Sequence, residues 1–271
     1  MINLALHAQR WAAAWLQLTR VGLRPQRLPG VHGAWLPQQQ RAVLYSEELN
    51  RRQYHQPLCE AEIGCYASHL AAWQRLLQSD APCAAVLEDD VDVDASLPEV
   101  LRAIEALPGE WDMVKLIGRH QEKVAQAQPL CEGSSLVRYA RVPSLTGGYV
   151  LHRRGARKLL QQRRPFGRPV DVDLRYWWEC GLELYGVQPY PLREGPMASE
   201  SSMVGRGIER SAAMRWRKLC QQAHYSWCNR RALRAQEQRA LPGPGPASAA
   251  MTTTPAGVAQ RLVPHAGHDA G

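Results

Sequence analysis

One stretch constrains this chain more than any other. The short apolar run Cys83–Leu87 passes without a turn signal into Glu88-Asp89-Asp90-Val91-Asp92-Val93-Asp94. An uninterrupted apolar run of this length reads as a strand buried on both faces, of the kind found in parallel sheets. Five carboxylates in seven residues at its end repel one another, so they need positive charge among them. In open α/β sheets ligands bind beyond the carboxyl ends of the strands, where this cluster falls. In an extended segment residues i and i+2 point the same way, so Glu88 and Asp90 can face one ion. Asp89 then faces the other side or meets a ribose. A set of oxygen ligands alone suits Mg²⁺ or Mn²⁺ shared with phosphate oxygens.

The rest of the chain reads as strands alternating with helices. Strands are expected at Ile2–Leu4, Gln26–Val31, Met113–Ile117, Leu136–Val142, Gly148–His152 and Leu182–Val187. Helices are expected at Ala8–Val21, with Trp11, Trp15 and Leu18 at helical spacing, and at Glu62–Gln78 and Arg153–Gln162, with a short one at Asp173–Cys180. Ser96-Leu-Pro-Glu99 has the form of a capping box opening a helix to about Leu107. Residues 34–61 show no clean period and read as a loop with short elements. This alternation implies an α/β domain with a mostly parallel sheet.

Charge divides the chain. Between Arg206 and Arg239 nine Lys or Arg face two Glu, whereas residues 1–205 carry 23 basic and 22 acidic groups. The basicity of the +8 chain thus belongs to one segment, where Trp216, Leu219, Cys220, Ala223 and Trp227 repeat on one helical face. Such a helix either packs on the main domain or meets anionic lipid headgroups. Nucleic acid is not expected, since few stacking aromatic residues, Trp216 and Trp227 among them, lie among the arginines. From residue 240 the chain turns to Pro, Gly, Ala and Thr and reads as a disordered tail. No segment has the length and apolarity of a membrane span, and Met1–Trp15 has no basic stretch ahead of an apolar one, so no signal peptide is expected. Seven cysteines with no Cys-x-x-Cys pair fit reduced thiols in a cytoplasmic protein.

Two chemistries use such an acidic corner. Asp90-Val-Asp-Val93 loosely matches the start of a haloacid-dehalogenase phosphatase motif, but it lies a third of the way into the chain and no Gly-Asp-x-x-x-Asp follows. A nucleotide-sugar transferase is the other, with the metal neutralising a leaving diphosphate. No Walker lysine loop or Gly-x-Gly-x-x-Gly occurs, which removes kinase and dehydrogenase readings.

A series of motifs in order resembles glycosyltransferase family 25. Ile2-Asn3-Leu4 is similar to its opening strand, Arg27–Gly33 (RLPGVHG) to its second, and Ala61–Trp73 (AEIGCYASHLAAW) to its signature helix G-x-x-G-C-x-x-S-H-x-x-x-W. Val86–Val91 (VLEDDV) resembles its E-D-D motif, Leu145–Leu160 (LTGGYVLHRRGARKLL) its T-G-x-Y segment, and Val170–Leu174 (VDVDL) a late acidic element. Ala61 stands where the family's helix opens with glycine, and the chain starts directly at the first strand. The resemblance covers residues 1–205. It implies a GT-A-type, Rossmann-like fold with a basic helical appendage over 206–239, a UDP-sugar donor, a divalent cation and inversion at the anomeric carbon. A hexose, galactose by preference, would pass to a lipid-linked oligosaccharide or related cell-envelope glycan at the inner membrane. A non-catalytic sugar-nucleotide or glycan binder is the other reading.

Site roles follow from the same resemblance. Glu88 and Asp90 are the metal ligands. Asn3, Ser68, His69, Asp89, Thr146, Gly147 and Gly148 are the nucleotide-sugar contacts. His69 either donates to a phosphate, holds an acidic-corner carboxylate, or is a core residue. Asp171 or Asp173 is the base that inversion requires, against the plain role of capping a helix. Glu194 and Glu200 are next in line. Trp177 and Trp178 can stack on a sugar or fill the core.

Overall fold

The computed structural model describes residues 1–119, 122–196 and 212–243 of the 271. The chain opens with strand β1 (Ile2–Asn3), helix α1 (Ala8–Arg20) and strand β2 (Leu28–Pro29), which pairs parallel to β1. The buried stripe of α1 is Arg10, Ala14 and Leu18, while Trp15 faces solvent. Residues 34–61, read as a loop, hold a 3₁₀ turn at Gly33–Trp35 and two short helices, α2 (Gln38–Leu44) and α3 (Glu47–Gln53). The signature helix is α4 (Glu60–Gln78). Its entry forms without the missing glycine, because the Glu62 carboxylate accepts the Cys59 amide at 2.8 Å. Gly64 is required instead. A Cβ there would come within 2.5 Å of Gly33 N and Val31 O, so glycine lets α4 press onto the segment after β2.

Next come β3 (Cys83–Leu87), β4 (Val91–Val93), α5 (Leu97–Glu105), β5 (Met113–Lys115), β6 (Val124–Cys131), β7 (Ser134–Tyr139), β8 (Gly148–His152) and α6 (Arg153–Gln162). One helical turn, α7 (Val170–Asp173), and a 3₁₀ turn at Trp177–Cys180 replace the single helix expected over Asp173–Cys180. Strands β9 (Leu184–Gln188) and β10 (Leu192–Glu194) and helix α8 (Ala212–Gln236) complete the described chain.

The α/β class holds, but the sheet is mixed rather than mostly parallel. Its order is β3-β8-β5-β9-β7-β6, and only β5 and β9 pair in parallel. Strand β8, which follows the β6–β7 hairpin, inserts antiparallel between β3 and β5. The strand leading into the acidic corner is therefore an edge strand with an antiparallel neighbour, not the buried parallel strand expected. Ser96 does not cap α5 with its side chain. Asp94 supplies the local acceptor instead, taking the Ser96 amide at 2.9 Å and hydroxyl at 2.7 Å.

Two apolar clusters lie on the two faces of the sheet. Tyr66, Leu70 and Trp73 of α4 pack with Tyr149, Leu151 and Leu159 on one. Leu97, Val100 and Ile104 of α5 pack with Val114, Leu116 and Val150 on the other. Fully burying one such side chain contributes about 1.5–3 kcal/mol, so these faces fix where the strand ends stand.

Helix α8 docks on this body, but not by its expected apolar stripe. Tyr225 and Asn229 are buried, and Ala232 and Leu233 pack against the main cluster. Asn229 Nδ2 donates to Ala140 O at 2.8 Å, and Arg138 Nη1 donates to Gln236 O at 3.0 Å. Trp216, Leu219 and Trp227 point away, at 69%, 59% and 61% exposure. Residues 197–211, which include Glu200 and the 205/206 boundary, and the tail from 244 onward lie outside the described residues.

Candidate active site

A cleft of about 1130 Å³ opens at the strand ends, lined by β1, α4, the segment after β3, α7 and α8. It gathers Asn3, Ser68, His69, Glu88, Asp89, Asp90, Thr146, Gly147 and Asp171, residues spread over most of the first 174. Gly148, Asp173, Trp177 and Trp178 do not line it. Gly148 lies inside β8, where a Cβ would collide with Leu192. Trp177 is buried and its indole donates to Asn229 Oδ1 at 3.3 Å, so it serves the α8 contact.

Each carboxylate of the acidic corner has a different environment. Asp89 is buried and held: Asn3 Nδ2 donates to it at 2.5 Å, Arg10 lies 3.9 Å away, and Arg27 donates to Asn3 from behind. Asn3 thus acts from β1 as the clamp on Asp89. Glu88 receives a hydrogen bond from His69 Nε2 at 3.3 Å. Burial alone would raise its carboxyl, but His69, the Thr146 hydroxyl and nearby Lys115 outweigh it and hold the group below the usual range. Asp90 has no such support. Burial first, then the charges of Glu88 and Asp89, push its carboxyl up to about 6 against a partial offset from Arg10.

His69 is fully buried and fixed from the other side. Trp73 Nε1, a donor only, gives its hydrogen to the Tyr149 oxygen at 2.8 Å, and Tyr149 Oη lies 2.8 Å from His69 Nδ1. The hydroxyl hydrogen of Tyr149 therefore falls to Nδ1, leaving Nε2–H to face Glu88. The role of holding an acidic-corner carboxylate is the one this geometry gives His69. Ser68 is turned inward: its hydroxyl accepts the Val31 amide at 2.7 Å and donates to Gly64 O at 2.8 Å, so it joins α4 to the strand region.

The donor set fits a divalent cation. Three carboxyl groups crowd together here, and burial with the charges of Glu88 and Asp89 pushes Asp90 toward protonation, an effect that Arg10 offsets only in part. Hard oxygens of Glu88 and Asp90 suit Mg²⁺ or Mn²⁺. Beside them Cys65, His69 and Glu88 bring one ligand atom each within 4.8 Å of one another, a softer set at the same corner.

Across the cleft the two candidate bases part company. Asp173 is buried and spent: Tyr66 Oη donates to it at 2.5 Å, Arg168 Nη1 lies at 2.9 Å and Arg163 Nε at 3.3 Å. Asp171 faces the cleft, and burial raises its carboxyl to about 6 against the backbone amide of Val172 and the charge of Lys115.

Lys115 does not stand out in the sequence as a site residue, though a lysine inside the apolar run Met113–Ile117 is the signal. It is fully buried, burial lowers its amine to about 7, and Nζ donates to Pro143 O at 2.7 Å and to Leu145 O. It ties down the loop that leads to Thr146 and Gly147. Arg175 and Tyr225, on the wall next to Asp171, are likewise outside the motifs.

The profile of glycosyltransferase family 25 (LPS biosynthesis protein) matches residues 1–174. Among curated proteins, procollagen galactosyltransferase 1-B of Xenopus laevis is 32% identical over 125 residues, 44% of this chain and 20% of that protein. A glycosyltransferase 25 family member of Drosophila pseudoobscura pseudoobscura is 29% identical over 180 residues, 64% and 28% of the respective chains. A probable inactive glycosyltransferase 25 family member 3 of Bos taurus is 32% identical over 120 residues, 43% and 20%. The chain thus spans less than a third of the length of these relatives.

Proposed function

We propose, from the premise that this chain belongs to glycosyltransferase family 25, that it is an inverting hexosyltransferase of GT-A type. The donor is a UDP-sugar, with galactose as the hexose, in keeping with the name of its Xenopus laevis relative. One observation carries the reading. An acidic corner short of positive charge and a cleft-facing carboxylate raised to about 6 line the same cleft, one suited to a donor's metal-bound diphosphate and the other to an acceptor.

Asp171 takes the proton of the acceptor hydroxyl as its oxygen bonds to the anomeric carbon, and the bond from that carbon to the diphosphate breaks on the opposite side. A carboxyl titrating near 6 is ionised at neutral pH and basic enough to take a developing proton. Glu88 and Asp90 would hold Mn²⁺ or Mg²⁺, which when bound neutralises charge on the departing diphosphate. His69 and Thr146 keep Glu88 ionised. Asn3 and Arg10 fix Asp89, leaving it placed for the ribose. Lys115 anchors the loop carrying Thr146 and Gly147. Water released from this cleft on donor binding strengthens each of these contacts.

The acceptor we assign is a lipid-linked cell-envelope glycan met at the cytoplasmic face of an anionic membrane. The outward side of α8 supports this, since exposed Trp216, Leu219 and Trp227 share it with Arg230, Arg231 and Arg234. Each basic group near an anionic surface contributes about 1 kcal/mol. Among the described residues no helix is long and apolar enough to cross a membrane. Calorimetric titration of UDP with and without Mn²⁺ tests the donor half: metal-dependent UDP binding is expected, and UDP bound equally well in a chelator would count against it.

A further inference from the structure

We infer that the cleft contains an anion subsite built from Arg141, Arg175 and Tyr225, which takes a phosphate or carboxylate carried by the acceptor. This rests on the reading above that Asp171 serves the acceptor. The two guanidinium groups lie against one ring: the Arg141 Cζ is 5.0 Å and the Arg175 Cζ 4.5 Å from the centroid of Tyr225. Two cations gathered on one aromatic ring repel each other, and among the described residues neither has a carboxylate partner. Their neighbours do: Arg163 and Arg168 are paired with Asp173 and Glu179, and Arg154 and Lys158 with Asp112.

Donors at this place outnumber acceptors. Tyr225 is 3% exposed, yet its hydroxyl meets no acceptor among the described residues, and Arg175 Nε is buried without a partner. Buried donors are normally satisfied, and each exception calls for a reason. Arginine and tyrosine hydroxyl together offer only N–H and O–H bonds to a ligand rich in acceptor oxygens. A phosphate or carboxylate oxygen supplies both the missing acceptors and the missing charge, and the planar arginine fork is the usual partner for either.

Placement decides which substrate carries the anion. Arg175 follows Asp171 by four residues, just past α7, so the cations flank the group that accepts the proton. Lys218 of α8 lines the same cleft. On the reading above, the donor's diphosphate is served by a cation that Glu88 and Asp90 would hold, away from these arginines. Arg141 lies within the matched residues 1–174, and Arg175 and Tyr225 lie beyond them.

The test is calorimetric titration of glucose-6-phosphate, glucuronate and glucose into protein saturated with UDP and Mn²⁺. Binding of either charged sugar alongside UDP, with glucose much weaker, is expected. Arg141→Gln and Arg175→Gln should each weaken that binding by about tenfold, as loss of a charged hydrogen-bond donor does, and Tyr225→Phe by less. UDP affinity should not change in these variants. Arg141 is exposed, so its variant keeps the test open if Arg175→Gln melts early. Competition between the charged sugars and UDP, or loss of UDP affinity in the arginine variants, would assign the cations to the donor and overturn the proposal. So would glucose binding as tightly as its phosphate. If wild-type protein binds glucose-6-phosphate through Arg141 but never binds UDP, the anion subsite stands and the transferase reading falls.

Discussion

Replacing Asp90 by Asn is expected to remove activity and stabilise the fold. The Asp90 carboxyl is raised from 3.8 to about 6, by burial first and then by the charges of Glu88 and Asp89. A folded-state value above the unfolded one means that the native protein binds this proton more tightly. The penalty is therefore absent below about pH 4, grows as pH rises toward 6, and is fully present at neutral pH. Two pH units correspond to at most about 3 kcal/mol, and partial exposure with solvent screening brings this to about 1–2 kcal/mol. For a domain of this size that is on the order of 2–8 °C in melting temperature. Scanning calorimetry of wild type and Asp90→Asn near neutral pH, without divalent ions, should show the variant melting higher. The gap should close below about pH 4. Mn²⁺ at a hundred times its dissociation constant should add about 2.7 kcal/mol to the wild type and much less to the variant. A variant that melts below wild type at neutral pH, or gains as much from Mn²⁺, would refute a corner short of positive charge.

Other outcomes follow from the same structure. Asp171→Asn should lower transfer by about 10²–10⁴-fold with donor affinity unchanged, and wild-type turnover should fall as pH drops through about 6, where the base takes up its proton. Transfer by the variant at the wild-type rate would place the base elsewhere, with cleft-lining Glu194 next. Asp173→Asn should act on stability instead, by about 3–5 kcal/mol, since it breaks a buried pairing with Arg163 and Arg168, and normal melting would contradict that role. Changing Trp216, Leu219 and Trp227 together to Ser should abolish salt-sensitive binding to vesicles containing anionic lipid, yet leave melting and turnover of a soluble acceptor intact. Unchanged vesicle binding would remove the membrane from the account.

What the sequence made legible was local. The acidic corner, the signature helix and the Thr146–Gly147 approach each lie in one short stretch, and the fold brings them to one cleft. Strand direction was not legible, because an apolar run such as Cys83–Leu87 is equally apolar in a central parallel strand and beside the antiparallel β8. Strand β6 escaped notice since it is a largely exposed edge interrupted by Pro129, the place where a sheet tolerates proline. Asp171 and Asp173 were inseparable by spacing, and only the arginines and Tyr66 around Asp173 distinguish them. On α8 hydropathy pointed to the stripe that faces solvent. The docking face relies on Asn229, Tyr225 and contacts to main-chain carbonyls, which carry little hydrophobic signal.

The most direct test of the central claim is UDP release from a panel of UDP-hexoses, measured with Mn²⁺, with chelator, and with the Asp90→Asn protein. Release from UDP-galactose above the other donors, present in Mn²⁺ and lost in the other two conditions, is the predicted result. No release from any UDP-hexose, or release indifferent to both the chelator and the substitution, would contradict it.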